Sequence, residues 1–508
     1  MKVTQDYYTI LGVAPEATAD DIRTAYRRAA RRFHPDVNGN PGASAQFRDI
    51  VEANEILGNP ITRREYDIAL DTDGLPPPYY NLQVTPSKRV LQVLPEPQVV
   101  YLLVEVIAND RYAKMGQLEA PLNIALVLDR STSMKGPRIE RVKQAVHRII
   151  ENLGPDDVLS VVAFNNRAEV VFEATHVTER ATLKAMVSTM QVSGGTEIFA
   201  GLEKGVEELR RTLDPRFVNH LILLTDGHTY GDEDNCLALA EEVSDEGIGI
   251  SAIGIGQDWN DIFLDELASR TGGSSTYINT PGAVVRFLND RIRSLGASFA
   301  ERIRLSVAPD ADITVEYAFK LSPNPQPLPV DRPTIPLGSL EKNMPISVIL
   351  QLQMPALAQE TFRTVARMDA TGDILHAGHL AYKSISDLSI EVSKTVPQES
   401  PPTAILDALG KLTLYRMQEK AMEAIADGKV QEATRRLENL ATRLLENGQE
   451  GLAHAALAEA RRVAQTAALS GEGQKMLKYG TRALINHTHA LLLNAPTGSD
   501  AETTDPSD

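Results

Sequence analysis

The first 70 residues repeat apolar positions at the spacing of amphipathic helices. A helix is predicted from about Asp20 to Phe33, followed by a second helix, because each segment carries an apolar stripe. The stripe of the first helix contains Ile22, Tyr26, Ala29, Ala30 and Phe33, and that of the second contains Phe47, Ile50, Ala53, Ile56 and Leu57. The two stripes predict an antiparallel helix pair with a turn at one end.

The centre of the chain has a different pattern. Residues 122–128 (LNIALVL) are almost continuously apolar, as expected of a strand buried on both faces, and HLILLTDG is a second such strand that ends at Asp226. More strands are predicted at 158–164, 168–173, 249–255 and 274–279, separated mostly by helical stretches. This alternation predicts a doubly wound α/β domain with a mostly parallel sheet, which binds ligands at the carboxyl ends of its strands.

Shorter strands flank this region on both sides. Residues 80–108 are β-like, residues 303–307 and 346–352 alternate apolar with polar positions, and residues 361–368 and 386–393 are also strand-like. Such strands predict an antiparallel β-sandwich. The simplest arrangement is one sandwich built from both flanks, with the α/β domain inserted into it. Residues 322–333 (SPNPQPLPVDRP) are expected to form an extended loop.

From about Pro402 the pattern becomes helical, and glycines at 428, 448 and 473 separate segments rich in Ala, Leu, Glu and Arg. A small helical bundle is predicted, followed by a disordered acidic tail from Asn494. The predicted boundaries are 1–72 for the N-terminal helical domain, 73–121 and 299–398 for the sandwich, 122–298 for the α/β domain, 399–493 for the C-terminal helices and 494–508 for the tail.

Composition limits the classes of function. The 508 residues carry a formal net charge of −17, which argues against a general nucleic-acid binder or a protein of anionic membranes. Cys236 is the only cysteine, so neither an intrachain disulfide nor a cysteine-rich zinc module is expected. The start of the chain is unlike a signal peptide and no apolar run approaches about 18 residues, so we expect a cytoplasmic protein without a membrane span.

The N-terminal helices carry a recognisable set of motifs. Asp6-Tyr7-Tyr8 and Leu11-Gly12-Val13 precede the first long helix, which runs directly into His34-Pro35-Asp36, and Arg63-Arg64-Glu65-Tyr66-Asp67 follows later. Together they resemble a J-domain, the module by which co-chaperones stimulate the ATPase of DnaK-type chaperones.

The resemblance implies a DnaK-type partner. It would contact His34, Pro35 and Asp36 together with a cationic helix face that includes Arg23, Arg27, Arg28 and Arg31. The alternative is that these arginines form an ordinary solvated surface. The J-domain is expected to be separated from the rest of the chain by a linker.

Three polar segments follow the predicted strands of the α/β domain. They are Asp129-Arg130-Ser131-Thr132-Ser133, Ser193-Gly194-Gly195-Thr196 and the Asp226 turn. In this order they resemble the von Willebrand factor type A domain and its metal-ion-dependent adhesion site, over about Leu122 to Leu295. The alternative is that Asp129 and Asp226 are helix caps.

The second resemblance implies a metal site. Ser131 and Ser133 would bind the ion directly, Thr196 would do so in some states, and Asp129 and Asp226 would act mostly through water. An all-oxygen set suits Mg²⁺, with Mn²⁺ or Ca²⁺ as alternatives, and the absence of His and Cys argues against zinc. An open coordination position would accept an Asp or Glu of a protein partner.

These features favour a non-enzymatic adaptor that recruits a DnaK-type chaperone to a protein client captured through the metal. A second hypothesis is a metal-dependent assembly factor or scaffold, perhaps working with an AAA-type ATPase, in which the J-domain is only a tether. A Mg²⁺-dependent hydrolase is a third, but the sequence offers no nucleophile–base pair and no phosphate-binding loop.

Overall fold

Four helices form the N-terminal helical domain in the computed structural model: α1 (Tyr7–Leu11), α2 (Ala19–Phe33), α3 (Pro41–Leu57) and α4 (Pro60–Asp73). Helix α2 begins in a capping box, in which Thr18 and Asp21 bond each other's backbone N–H groups. It ends at His34, because Pro35 cannot continue a helix. Ile22 and Phe33 are buried, so the predicted apolar stripe forms the core of this domain.

The structure describes residues 5–115, 120–229, 231–280, 282–377, 379–397 and 400–485. The predicted tail, residues 494–508, lies outside the described residues, as does the end of the last predicted helix beyond residue 485. The described residues form two compact units, of which the first extends to Ala408 and the second begins at Leu409.

Two five-stranded sheets from both flanks pack as one sandwich. The first contains, in spatial order, β1 (Tyr80–Pro86), β3 (Gln98–Ala108), β14 (Ile346–Met354), β11 (Thr314–Ser322) and β12 (Gln326–Pro327). The second contains β13 (Ile335–Glu341), β10 (Ser298–Pro309), β15 (Thr361–Ile374), β16 (His379–Ser393) and β2 (Val90–Gln92). The predicted sandwich with an inserted α/β domain is confirmed. In the predicted loop 322–333, Gln326 and Pro327 pair with β11 instead of remaining irregular.

The α/β domain has a six-stranded sheet. Its order is β6 (Ala168–His176), β5 (Val158–Phe164), β4 (Leu122–Asp129), β7 (Val218–Thr225), β8 (Gly249–Ile255) and β9 (Ser275–Ile278), with only the edge strand β6 antiparallel. Its helices are α6 (Pro137–Asn152), α7 (Arg180–Ser188), α8 (Ile198–Arg210), α9 (Glu233–Glu246), α10 (Asp261–Ser269) and α11 (Ala283–Gly296), and the short helix α5 (Asp110–Met115) precedes the domain. Every residue of β4 and β7 is buried, as their apolar sequences predict.

The C-terminal helices are α12 (Thr403–Ala426), α13 (Val430–Glu446), α14 (Glu450–Thr466) and α15 (Gly471–Ile485). In the second unit, leucines and small residues of α13 and α14 form a core of their own with Leu414 and Leu477. The predicted helical bundle is confirmed. Among the described residues, no helix combines the length and apolar character needed to cross a membrane.

The expected linker between the N-terminal helices and the rest of the chain is wrong. Helix α3 packs on β10, and Ala308 of that strand is fully buried in the core of the helical domain. Gly42 marks the closest approach, because a Cβ atom at this position would lie 2.0 Å from the carbonyl oxygen of Val307. Polar groups complete the contact: Gln46 bonds Asp369, and the Lys383 ammonium pairs with Asp49. The helical domain is therefore docked on the sandwich, which a local sequence pattern does not reveal.

The α/β domain also packs on the sandwich without a spacer. Helix α11 ends at Gly296, whose carbonyl accepts a hydrogen bond from the N–H of Ala120 (3.4 Å), and β10 begins two residues later at Ser298. The loop before β9 crosses β13 so closely that a Cβ atom on Gly272 would lie 2.4 Å from the backbone nitrogen of Gly338. The amino edge of the parallel sheet thus faces the sandwich, and the carboxyl edge is at the opposite end.

Substitution of Gly42 tests the docking. Alanine is the better residue inside a helix by up to about 1 kcal/mol, so Gly42→Ala would stabilise an undocked α3. In the docked structure the added methyl group collides with Val307, and we expect Gly42→Ala to destabilise the protein by about 1–3 kcal/mol, measured by thermal unfolding. Gly410→Ala is the matched control, since a Cβ atom there meets nothing within 4 Å. A Gly42→Ala protein that melts at or above the wild-type temperature would contradict the docking.

The same contact makes stability depend on pH. Burial raises the pKa of Asp369 to about 6 from 3.8, against the opposing attraction of the Lys383 ammonium. The folded state therefore disfavours the carboxylate, so its stability is greatest below the ordinary pKa of aspartate and falls as the pH rises through about 6. Asp369→Asn removes this penalty, which is at most about 3 kcal/mol. We expect the variant to gain melting temperature over the wild type at about pH 8 but not at about pH 4. An equal difference at both pH values would contradict the burial of a titrating carboxyl group.

Candidate functional site

The loop after α2 presents His34, Pro35 and Asp36 in a defined turn. The His34 carbonyl accepts hydrogen bonds from the N–H groups of Val37 (2.9 Å) and Asn38 (2.8 Å), and its Nδ1 accepts one from the N–H of Asp36 (3.1 Å). The His34 ring packs edge-on against Phe47 of α3, with 5.1 Å between ring centroids. Pro35 and Asp36 are exposed, and His34 is partly so. The backbone of the turn and the His34 ring are therefore held in place, while the Pro35 and Asp36 side chains remain accessible to a partner.

The predicted arginines divide into two groups. Arg23, Arg27, Arg28 and Arg31 are exposed along α2, so a cationic surface leads up to the loop. Arg32, which belongs to the same sequence pattern, is different because its Nε donates to the Asp310 carboxylate of the sandwich at 2.6 Å. Sequence periodicity could not separate Arg32 from its neighbours, since its partner is distant along the chain.

The second candidate site lies at the carboxyl edge of the parallel sheet. Asp129 is the last residue of β4, and Asp226 immediately follows the adjacent strand β7. Both carboxylates are almost fully buried, with 0% and 1% of their residue surface exposed. Ser131 is also buried, Thr196 is half-buried and Ser133 is exposed, so the site is open to solvent on one side.

Backbone contacts join the loops that carry these residues. Thr132 donates to the Gly194 carbonyl through both its N–H (3.0 Å) and its hydroxyl (2.9 Å), which ties the first loop to the second. Thr196 lies beside the turn after Asp226, because a Cβ atom on Gly227 would be 3.1 Å from the Thr196 hydroxyl oxygen. The structure thus brings together all five residues that the sequence proposes as a metal set.

The oxygen atoms of the set face one another. The Ser131 and Ser133 hydroxyls are 3.0 Å apart, and the Ser133 hydroxyl donates to Asp226 Oδ1 at 2.6 Å. Asp129 accepts from the Ser131 N–H and from the Thr225 hydroxyl, each at 2.7 Å. Burial raises the pKa of Asp129, and the nearby Asp226 carboxylate adds to the effect. Two buried carboxyl groups side by side favour the presence of a positive charge.

One such charge comes from the chain itself. Arg138, in the first turn of α6, donates to Asp226 Oδ2 at 2.5 Å and to the Ser133 carbonyl at 3.3 Å. Arg138 was not predicted as a site residue, although its position shortly after Ser131 and Ser133 could have suggested it. Asp232 is the N-cap residue of α9, and its carboxylate accepts a hydrogen bond from the Phe199 N–H at the start of α8.

The donor set fits a hard divalent cation. Adjacent ligands of an octahedral ion that binds oxygen at about 2.1 Å are about 3 Å apart, which is the separation of the two serine hydroxyls. Within the described part of the chain, His, Cys, Asp and Glu form no group of three or more that could hold a metal, so an ion here would need the hydroxyls. Ser131 and Ser133 would hold the ion, and Asp129 and Asp226 would orient its waters.

Three family models match the chain. The DnaJ domain model matches residues 6–67, the von Willebrand factor type A domain model matches residues 123–289, and the Sll0103-like, C-terminal alpha-helical domain model matches residues 403–487. The first match covers the helical domain with the His34 loop, and the second covers the sheet with the serine-rich edge.

Two curated relatives show where the similarity lies. The chain is 35% identical over 246 residues to the uncharacterized protein sll0103 of Synechocystis sp., which covers 47% of this chain and 58% of that relative. It is 52% identical over 65 residues to the chaperone protein DnaJ of Trichormus variabilis, which covers 13% of this chain and 17% of DnaJ. The chain therefore spans only part of the length of either relative.

Solved structures resemble the fold over most of the chain. The von Willebrand factor type A structure from Catenulispora acidiphila has a TM-score of 0.62 at 18% identity, covering 79% of this chain and 96% of that one. The ArnB paralog VWA2 from Sulfolobus acidocaldarius has a TM-score of 0.52 at 15% identity, covering 80% and 99% respectively. At these identities the likeness concerns the fold alone.

Proposed function

Because the chain carries a DnaJ domain and a von Willebrand factor type A domain, we propose that it is a non-enzymatic adaptor co-chaperone. The J-domain recruits a DnaK-type chaperone and stimulates its ATPase, while the type A domain captures a protein partner through Mg²⁺. The observation that carries the proposal is the accessible His34-Pro35-Asp36 turn at the end of an exposed cationic helix, in the same chain as a set of converging oxygen ligands.

The geometry of the His34–Asp36 loop supports the proposed stimulation of a DnaK-type chaperone. The exposed arginines of α2 can attract an acidic surface, and the turn then meets the partner in a conformation that the chain has already fixed. Preorganisation of this kind lowers the entropy lost on binding. Arg27 and Arg31 lie on this exposed face of α2. Arg32 forms an ion pair with Asp310, so it contributes less to the attraction of an acidic surface.

The hydroxyl and carboxyl oxygens at the sheet edge support the proposed capture of a partner through Mg²⁺. Hydroxyl ligands leave most of the charge of the ion uncompensated, so a bound Mg²⁺ would be electrophilic at its open position. A carboxylate from a partner is the group that such a position prefers. Arg138 lies next to that position and, being fixed to Asp226, adds a second positive charge that favours the same acidic partner. It also opposes the ion, since both cations share one carboxylate.

The scaffold hypothesis differs in its account of the J-domain. A tether needs no intact tripeptide, whereas stimulation of the chaperone ATPase depends on it. We prefer the adaptor, because the loop is held in a defined turn and left open to solvent. An assay of ATPase stimulation separates the two functions.

His34→Gln is the test of the proposed chaperone stimulation. Glutamine retains a hydrogen-bond acceptor and loses only the edge-on contact with Phe47, so we expect less than about 1 kcal/mol loss of folding stability. Stimulation of a DnaK-type ATPase should fall to the basal rate, measured by single-turnover hydrolysis. Arg64→Gln, an exposed change on α4, is the control that should keep full stimulation. Wild-type stimulation by His34→Gln would refute the proposed J-domain activity.

Ser133→Ala is the test of the proposed capture through Mg²⁺. A cation that binds only the folded state stabilises it by about 2.7 kcal/mol at a hundredfold excess over its dissociation constant, or roughly 3 °C in melting temperature for a unit of this size. We expect the wild type to show this Mg²⁺-dependent rise, and Ser133→Ala to lose it together with Mg²⁺-dependent capture of its partner. The side chain is exposed, so the variant itself should fold.

Arg138→Gln gives the matched control with the opposite sign. Removal of the competing guanidinium leaves both serines in place and should tighten Mg²⁺ or Mn²⁺ binding, which isothermal titration calorimetry measures directly. Wild-type melting that does not respond to Mg²⁺ or to chelator, with no heat of binding in either protein, would remove the metal from the mechanism.

A further inference from the structure

The His34–Asp36 loop is attached to the sandwich on both sides. Before the loop, Arg32 Nε donates to Asp310 Oδ1 at 2.6 Å. After it, Asn38 Nδ2 donates to the Pro309 carbonyl at 2.9 Å, and Asn38 is 1% exposed. Both acceptors belong to the end of β10 and the turn that follows it, so one short segment of the sandwich holds both ends of the loop.

Contacts of Asn40 extend this attachment. Its Nδ2 donates to the carbonyls of Asp310 and Ile313, each at 3.2 Å. Asn38 Oδ1 in turn accepts from the N–H of Asn40 at 3.1 Å, so the two asparagines fix each other. The loop residues between these anchors, Pro35 to Val37, make no such contact and are exposed. The sandwich therefore restrains the loop without covering the tripeptide.

The body of the domain is held independently of the loop. Arg367 Nη1 donates to the Ile10 carbonyl at 2.8 Å, and Lys383 pairs with Asp49. Because these contacts lie on α1 and α3, loss of the Asp310 contact would loosen the loop without releasing the domain. The Arg32–Asp310 pair is itself about three-quarters buried, so it is poorly screened by salt and stronger than a typical surface ion pair.

We propose that the β-sandwich is part of the chaperone-stimulating site, with Asp310, Arg32 and Asn38 as positioning residues for the His34-Pro35-Asp36 loop. This inference rests on the proposed J-domain function and adds a requirement to it. The tripeptide stimulates the chaperone at full rate only while β10 and its turn hold the loop in one conformation.

The experiment uses the full chain and one substitution outside the J-domain. Asp310→Asn removes the nearer of the two carboxylates beside Arg32, the other being Asp387 at 3.9 Å, and leaves every J-domain residue unchanged. Asp312→Asn is the matched control, because Asp312 lies in the same turn but pairs with Arg363 of the sandwich instead of the helical domain. ATPase stimulation of a DnaK-type chaperone is measured over a range of concentrations, to separate the maximal rate from the half-maximal concentration.

We expect Asp310→Asn to lower the maximal stimulated rate about threefold to tenfold, while the half-maximal concentration changes less than about twofold, since the arginines of α2 remain available. Hydrogen exchange at the N–H groups of Val37 and Asn38, both bonded to the His34 carbonyl, should speed up in Asp310→Asn but not in Asp312→Asn. If Asp310→Asn does not fold, Asn38→Ala tests the same attachment of the loop to the sandwich, because it removes the hydrogen bond from Asn38 to the Pro309 carbonyl.

The outcomes are distinct. If the wild type stimulates the chaperone ATPase and Asp310→Asn reaches the same or a higher maximal rate, the positioning role of the sandwich is refuted and the J-domain function stands. Unchanged exchange at Val37 and Asn38 would refute it as well. If the wild type gives no stimulation of the chaperone ATPase at all, the proposed J-domain function itself is refuted.

Discussion

The arrangement of the first unit depends on β10 and its contacts with three neighbours. Its beginning, at Ser298, follows directly from the last helix of the type A domain, and its end, at Pro309, contacts the J-domain. Between these points it pairs with β13 and β15 in the sandwich. A strand buried in this way must satisfy every polar group near it. The hydrogen bonds from Asn38 and Arg32 to its end meet this requirement, and they also hold the loop after α2 against the sandwich.

The modules were predictable from the sequence because each depends on local pattern. Apolar periodicity gave α2 and α3, continuous apolar runs gave β4 and β7, and short polar motifs at their ends gave the tripeptide loop and the serine-rich edge. The alternating strands on both sides of the type A domain also predicted that it is inserted into one sandwich.

The relations between modules were not predictable in the same way. Arg32 and Arg31 are equivalent in the helical pattern, and the carboxylates of Asp310, 278 residues away, and of Asp387 distinguish them by pairing with Arg32. Arg138 and Asp226 are likewise separated by 88 residues. Ion pairs and close backbone contacts of this kind follow from tertiary packing, so periodicity carries no information about them. For this reason the sequence suggested a linker between the J-domain and the rest of the chain, although α3 packs directly on the sandwich through Gly42 and Val307.

The two candidate sites differ in their local charge. With a net charge of −17, most of the protein repels acidic partners, whereas the exposed arginines of α2 attract them. At the sheet edge Arg138 faces two carboxyl groups, so that edge would attract an acidic group only with a divalent cation bound. Repulsion elsewhere adds to specificity as effectively as attraction at the sites, because a wrong orientation is penalised. An acidic surface is thus directed to the α2 face, and a second one would be directed to the sheet edge only with a cation bound there.

The orientation of the parallel sheet sets a minimum length for a molecule that contacts both the serines at its carboxyl edge and the sandwich at its amino edge. The sandwich, with the J-domain docked on it, faces the amino edge of the sheet, and the serines are at the carboxyl edge. The eight residues of β4 lie between these edges and span about 26 Å. A peptide would need about eight fully extended residues to cover that depth alone. A short peptide bound at the serines would therefore remain at one edge of the sheet, whereas only a longer chain or a folded protein bound there could also reach the sandwich that carries the helical domain.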